Sequence, residues 1–483
     1  MAKRITGFKN AALGLAIATV LGVATFILVY QMIGRTPGEL FDYVEERLRG
    51  YPKPQAAALP DIYKVGAHLN EPSQNERQTL QFKIPLTPAL IIDKTGGTVS
   101  PHVSGQRVIR VGPHGDVLTI AHAAKLARDG DIVEITAGNY YGDVATWAQK
   151  KLTIRGIGGH ARVYADGKNA GGKGIWVIRN GDFTIENIDF VGAKVGDQNG
   201  AGIRFENGNL RVRHCLFFGN ESGILTANKP NITVTIENSE FAYNGTQSGK
   251  SHAIYAGRID TLNMTGNYLH HSNTGHLIKS RARNSNILYN RITDESGQAS
   301  YEVNLPNGGN ALIMGNIIQQ SRETKNSAVI RYGEEGYTGP DNTLRLINNT
   351  IVNSHPYGGA FLRAAPGTQT VISVNNLYIG QGRLHPGSKL QAFNDIYADG
   401  DIFEHPQRFN YTLNAKGLNV ARIRYPDAMS SLRLPMPDQQ YTHPVRTTLL
   451  AHKVTHSGAL QPSSSVLNSQ YPGNVTMIKG SLP

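Results

Sequence analysis

The chain has 483 residues, of which only 17% are charged, with 53 glycines and a formal net charge of +12. So low a charge excludes a coiled coil or a long helical bundle, and 40% apolar residues exclude full disorder. The positive excess leaves anionic partners in view, whether nucleic acid, anionic lipid or acidic polysaccharide.

Residues 11–33 (AALGLAIATVLGVATFILVYQMI) form a 23-residue run without a charge. At about 1.5 Å per residue such a helix spans roughly 34 Å, enough for a bilayer core of about 30 Å. Lys3, Arg4 and Lys9 precede the run and Arg35 follows it, which keeps the N-terminus cytoplasmic and sends the rest across. A cleaved signal peptide would need an apolar region of only about 7–15 residues and a small-residue cleavage site. The run ends instead in LVYQMI, so an uncleaved anchor over residues 1–35 is expected. The protein is then a single-pass protein of a bacterial inner membrane with its bulk in the periplasm, and nucleic acid is not an expected partner. Thr36, Pro37 and Glu39 have the form of a helix start, and residues 36–90 read as a helix and a Pro-, Ala- and Gln-rich linker. The single cysteine, Cys215, cannot form an internal disulfide and reads as a small buried apolar side chain.

From residue 183 one pattern recurs, an alternating apolar stretch, then Asn or an equivalent, then a bulky apolar residue. Its instances end at Phe190, Phe217, Phe241, Leu269, Ile292, Ile318, Ile351 and Ile379, on average 27 residues apart. A period of that length with short strands and no helical pattern between them predicts an all-β solenoid, a right-handed parallel β-helix over residues 91–390. Of 38 asparagines, 27 lie between 180 and 376, where they can ladder at corners while glycine takes positive-φ positions. Residues 117–128 place Ile120, Ala123, Ala124 and Ala127 on one helical face, suited to capping the open core. The stretch TIAHAAKLARDGDIVEITAGNYYG followed by LTIRGIGG resembles the start of pectate-lyase-like β-helices, which implies that fold but no substrate. Residues 391–483 lose the repeat and read as an irregular extension wrapped on the coil, covering one edge.

A second strand can be aligned in each turn: GIRFE, GILTA, AIYAG, LIKSR, EVNLP, VIRYG and FLRAA. Period-2 alternation puts Ile203, Ile224, Ile254, Ile278, Val303, Ile330 and Leu362 inside. The outward column then reads Arg204, Leu225, Tyr255, Lys279, Asn304, Arg331 and Arg363, with Arg281 on the same face. Outward strand positions are commonly polar, but like charges stacked about 5 Å apart repel and are normally avoided. Such a column suits an extended acidic polysaccharide lying along the axis. The same alternation places Glu302 outward beside the cations. There it could pair with Arg281 or Arg331, or with Glu334 or Glu335 as the two carboxylates of a hydrolase. His252, His270, His271 and His276 are close in sequence but match no metal-ligand spacing, and read as turn histidines.

HLIKSRARNSNILYNRI resembles the lysine-bearing rung of the family containing chondroitinase B and alginate lyases, and IRYGEEG is more loosely similar to its arginine-bearing rung. The resemblance implies β-elimination, with Lys279 taking the proton from C5 of a uronate and Arg331 assisting the leaving group. It also implies a calcium ion held by acids just before the lysine. This chain has Ser272, Asn273, Thr274 and Gly275 there, so no cofactor is expected, and Arg281 or Arg331 would neutralise the carboxylate instead. Lysine is a base only as the free amine, a form that neighbouring Arg281 and Arg331 favour by repulsion. The leaving group's proton would come from Tyr255, His276 or water. KSRA, LPNGG and YGEEG, at 279–282, 305–309 and 332–336, are also similar to elements of a set of bacterial β-helix proteins, a likeness that implies no activity. The expected chemistry is therefore catalysis at Lys279, Arg281 and Arg331, with Arg204, Tyr255, His276, Glu302, Asn304 and Arg363 binding substrate. C5 epimerisation and hydrolysis are the runner-up reactions. The competing class is a non-catalytic polysaccharide-binding or export-assembly protein using the same face. The oligomeric state is not legible.

Overall fold

A computed structural model describes residues 105–246, 250–423 and 433–466. The expected anchor at 11–33 and the linker to residue 90 lie outside the described residues. Among the described residues no helix is long and apolar enough to cross a membrane.

The chain coils into a parallel β-solenoid. A typical turn holds three strands, as in Thr233–Glu237, Glu240–Ala242 and Ile254–Ala256. Each pairs in parallel with its counterpart one turn later, Val234 opposite Leu262, Phe241 opposite Leu269 and Ile254 opposite Ile278. The first two strands of every turn belong to one 21-stranded sheet, and the third strands form a separate sheet of ten. The helix Ile120–Leu126 sits where the coil begins and buries Ile120, Ala123 and Ala124. Thr119 caps it, and the Asp143 carboxylate accepts from the Ile120 and Ala121 amides at 2.6 and 2.9 Å.

The interior is a set of stacked columns. Phe190, Phe217 and Phe241 stack in one column with ring centroids 5.1 and 4.6 Å apart, and Trp176 from the ten-stranded sheet meets Phe190 edge-on at 4.9 Å. The column continues through Leu269, Ile292, Ile318 and Ile351, as the repeat predicts, and then reaches Tyr378 rather than Ile379. The phase is set by the residue two positions after the laddered asparagine, and Asn376 puts Tyr378 there. Ile379 instead packs in a cluster outside the coil.

Two devices make the corner between the first and second strands of a turn. The residue before the laddered position has left-handed φ: Asn187, His214, Asn238, Gly266, Tyr289, Gly315, Asn348, Asn375 and Asn394, all between 48° and 70°. Asn and Gly tolerate that region best, which accounts for much of their enrichment. Then comes the ladder. Asn267, Asn290, Asn316, Asn349 and Asn376 each donate from Nδ2 to a carbonyl of the preceding turn and to the carboxamide or carboxylate oxygen one turn ahead. It ends on Asp395, which accepts from Asn376.

The residues after the coil cover a face rather than the expected edge. Leu216, Tyr268, Ile317, Val352 and Leu377 point outward from the 21-stranded sheet and pack with Ile402, Phe403, Tyr411, Leu413, Leu418, Tyr441 and Val445. Outward positions of this sheet are apolar where the extension lies on them, which pure alternation from the sequence could not distinguish from solvent.

Candidate functional site

Hydrogen-bonded register on the ten-stranded sheet aligns Arg204, Leu225, Tyr255, Lys279, Asn304, Arg331 and Arg363 residue for residue. The column is not a freely solvated face. Leu225 and Asn304 are buried, while Arg204, Tyr255, Lys279, Arg331 and Arg363 are half-buried. Burial holds the Arg204 guanidinium below its ordinary pKa, although Glu206 and Tyr255 oppose that shift. Arg204 Nε, Arg331 Nε and Asn304 Oδ1 are buried atoms with no hydrogen-bond partner. Half-buried cations aligned in one column are suited to an anionic ligand.

Lys279 and Arg281 form the best-built part of the groove. Arg281 Nε donates to the Tyr255 hydroxyl at 2.9 Å and Nη1 donates to Asn307 Oδ1 at 2.6 Å. Lys279 Nζ and Arg281 lie 5.8 and 5.9 Å from the centre of the Tyr255 ring. Across them lies Glu335, with Oε1 3.2 Å from Lys279 Nζ and Oε2 2.6 Å from Arg281 Nη2. Burial raises the Glu335 pKa, but the hydrogen bond from Arg281 and the two positive charges outweigh it and hold the carboxyl below its usual range. Beside it, Asn304 Nδ2 donates to Glu334. The sequence reading considered Glu334 and Glu335 only as hydrolase acids. The signal for their true place was in the LPNGG and YGEEG segments, because Glu335 N donates to Pro306 O and Asn307 Nδ2 to Gly336 O, tying the two together.

A ladder of rings flanks the cations. His276 stacks on His252 at 4.6 Å and on Tyr301 at 5.0 Å, and Arg331 lies 5.5 Å from the centre of the Tyr301 ring. Burial, with the charges of Lys279 and Arg281, pushes His252 down to about 3. Burial also holds His276 well below the imidazole range, reinforced by His252, Lys279, Arg281 and Arg331. Both rings are therefore neutral near pH 7, and the His276 backbone N–H donates to His252 Nδ1. A neutral His276 ring is a weaker proton donor than an imidazolium would be. His270 and His271 lie apart, facing Glu240 and Glu295 on the other sheet. Among the described residues no group of three or more His, Cys, Asp or Glu side chains is placed to hold a metal.

Glu302 corrects the sequence reading. It is fully buried, not outward, and both its carboxyl oxygens lack hydrogen-bond partners. The strand enters at a corner where two successive residues, Glu302 and Val303, turn inward. The equivalent pairs Leu277 and Ile278, Val329 and Ile330, and Phe361 and Leu362 are likewise all core residues. Glu302 can therefore neither pair with the groove cations nor form a hydrolase couple with Glu334 or Glu335. Burial, and then the charge of Asp294, holds its carboxyl well above the normal range. Burial likewise raises Asp294 to about 7, against hydrogen bonds from the Ala299 and Ser272 amides.

A carboxyl with a raised folded pKa favours folding fully below its unfolded value, near 4 to 4.5 here, and that contribution is lost as pH rises. Asp294's share is gone by about pH 7. Glu302→Gln keeps the shape and removes the buried titrating carboxyl. It is expected to raise the melting temperature at pH 8 by roughly 2–6 °C, the scale of 1–2 kcal/mol in a large chain. It should also flatten the decline between pH 4 and 8. Parallel melting curves for the two proteins over that range would refute the assignment.

The fold and site together define a parallel β-solenoid with a column of half-buried cationic side chains along one face. No family model matches the chain, and no curated protein matches it. Among solved structures it is similar to the tailspike protein gp49 of Acinetobacter baumannii bacteriophage Fri1, a capsular polysaccharide depolymerase. The identity is 12% and the TM-score 0.30, over 62% of this chain and 56% of that one. The chain thus spans little more than half of the phage protein, and at this level the likeness bears on neither activity nor substrate.

Proposed function

We propose that this protein acts on acidic, uronate-containing polysaccharide held along the groove, as a lyase working by β-elimination. The right hand that parallel crossovers favour goes with this reading, as does a membrane tether at 11–33 with the bulk of the chain periplasmic. The observation that carries the proposal is the groove itself, half-buried cations in one column with two guanidinium Nε atoms left without acceptors. In the proposed reaction the Lys279 amine takes the proton from C5 of the uronate. The C5 electron pair then forms the C4=C5 double bond as the C4–O bond breaks. The departing oxygen takes a proton from Tyr255 or water, and Arg281 and Arg331 neutralise the carboxylate as charge builds on it. Arg204, Asn304 and Arg363 position the chain.

One observation favours a second reading, in which the groove binds without cleaving. Glu335 is a partner for the ammonium form of Lys279, whereas the lyase needs the free amine. A panel of polygalacturonate, alginate, hyaluronan and chondroitin sulfate separates the two. The lyase reading expects new ultraviolet absorbance from an unsaturated uronate with the wild type, falling at least 100-fold in Lys279→Ala, a loss typical of removing a general base. Binding without product on any polymer, merely weakened in Lys279→Ala, would leave the second reading standing.

A further inference from the structure

We infer that Lys279, Arg281 and Tyr255 build a carboxylate-binding subsite, and that Glu335 occupies it as an internal, displaceable stand-in for the carboxylate of an anionic ligand. The inference rests on the groove being a site for acidic polymer, and it names the group recognised and the residue that competes for it. Glu335 divides its carboxylate between the two cations, one oxygen on Lys279 Nζ at 3.2 Å and the other on Arg281 Nη2 at 2.6 Å. The cation side chains are 14% and 13% exposed, the Glu335 side chain 43%. The carboxylate therefore sits at the solvent side, where an external one would arrive, and the cations lie beneath it.

Arg281 does not depend on Glu335 for its position. Its Nε and Nη1 are committed to Tyr255 and Asn307, so the subsite stays built when the glutamate leaves. Departure needs no movement of the main chain. The loop is held by Glu335 N on Pro306 O and Asn307 Nδ2 on Gly336 O, and rotation about the Glu335 side chain alone frees the cations. The outgoing and incoming groups are both carboxylates, so the exchange is nearly balanced at the cations and an external carboxylate with further contacts along the column can displace Glu335. Glu335 thus does two things while the groove is empty. It satisfies two half-buried cations, and it supplies a partner for the ammonium form of Lys279, so that displacement by ligand precedes any proton abstraction.

An internal competitor lowers apparent affinity by the fraction of molecules in which the subsite is open. With that fraction at about 10–30%, Glu335→Gln should bind a polyuronate about 3–10-fold more tightly than the wild type. The probe is whichever of polygalacturonate, alginate and hyaluronan the wild type binds best, titrated at fixed low salt beside the same polymer with its carboxyls reduced to alcohols. The gain should be absent for the reduced polymer. Glu335→Asp, which keeps the charge but withdraws it by one methylene, should fall between the two. Melting curves should overlay, since the side chain is at the surface. Equal or weaker binding by Glu335→Gln, in a protein whose binding Arg281→Ala still destroys, would overturn the stand-in and leave the groove reading intact. An equal gain on the reduced polymer would overturn it as well. If no polyuronate binds either protein, the groove reading falls and the inference with it.

Discussion

Asn316→Ala is expected to destabilise the solenoid by about 4 kcal/mol and to lower its melting temperature by about 10 °C. Asn316 is fully buried and makes five side-chain hydrogen bonds. Nδ2 donates to Ile287 O at 2.7 Å, Met314 O at 3.1 Å and Asn349 Oδ1 at 3.0 Å. Oδ1 accepts from Asn290 N at 2.8 Å and Asn290 Nδ2 at 3.0 Å. Alanine leaves these partners in a place water does not reach, and each unmet buried group costs about 1–3 kcal/mol before relaxation. The loss falls mid-ladder, so two neighbouring turns are affected at once. Asn139→Ala is the control. Asn139 is exposed on the strand Ile132–Tyr141, and its replacement should move the melting temperature by about 1 °C or less. Equal shifts for the two would mean the ladder adds nothing beyond ordinary surface asparagine.

Arg281→Ala is expected to weaken polyuronate binding by about 30–100-fold at low salt, the scale of a lost charge-assisted hydrogen bond of about 2–3 kcal/mol. The expected loss is large because Arg281 is only 13% exposed and its guanidinium is aimed by Tyr255 and Asn307. Arg281→Lys keeps the charge but not the fork and should recover only part of the affinity. Arg283, two residues on, pairs with Asp260 at 2.6 Å and is 65% exposed. Its replacement by alanine should change binding less than about twofold, because exposed pairs of this kind are screened and weak. Isothermal titration of the three variants against one polymer tests the set. Matching losses for Arg281→Ala and Arg283→Ala would show attraction by net charge, with no built site.

Arg281 and Glu302 differ in how far the phase of the repeat alone places them. The column from Arg204 to Arg363 was legible because one solenoid turn brings residues of equal phase together, whatever their identity. Glu302 was misread because alternation fails at a corner, where both it and Val303 turn inward. The preceding turns carry Leu277 and Ala253 at that phase, a sign that the position is apolar. Tyr378 was displaced by one for a related reason. The asparagine ladder, not the last bulky residue, carries the phase.

The low charge and the asparagine and glycine enrichment, together with the 27-residue period, were sufficient for a parallel solenoid and for a basic column on one of its faces. These properties are periodic, and stacking turns converts period directly into neighbourhood. Which acid meets which base was decided only by the tertiary structure. Glu335 reaches Lys279 across 56 residues, from a loop whose length and path obey no repeat. Its position follows from packing against the Leu305–Asn307 segment of the preceding turn, where backbone and amide hydrogen bonds place it over the cations. The same holds for the outward apolar positions under the C-terminal residues. Their burial depends on a segment outside the repeat, which local pattern cannot place.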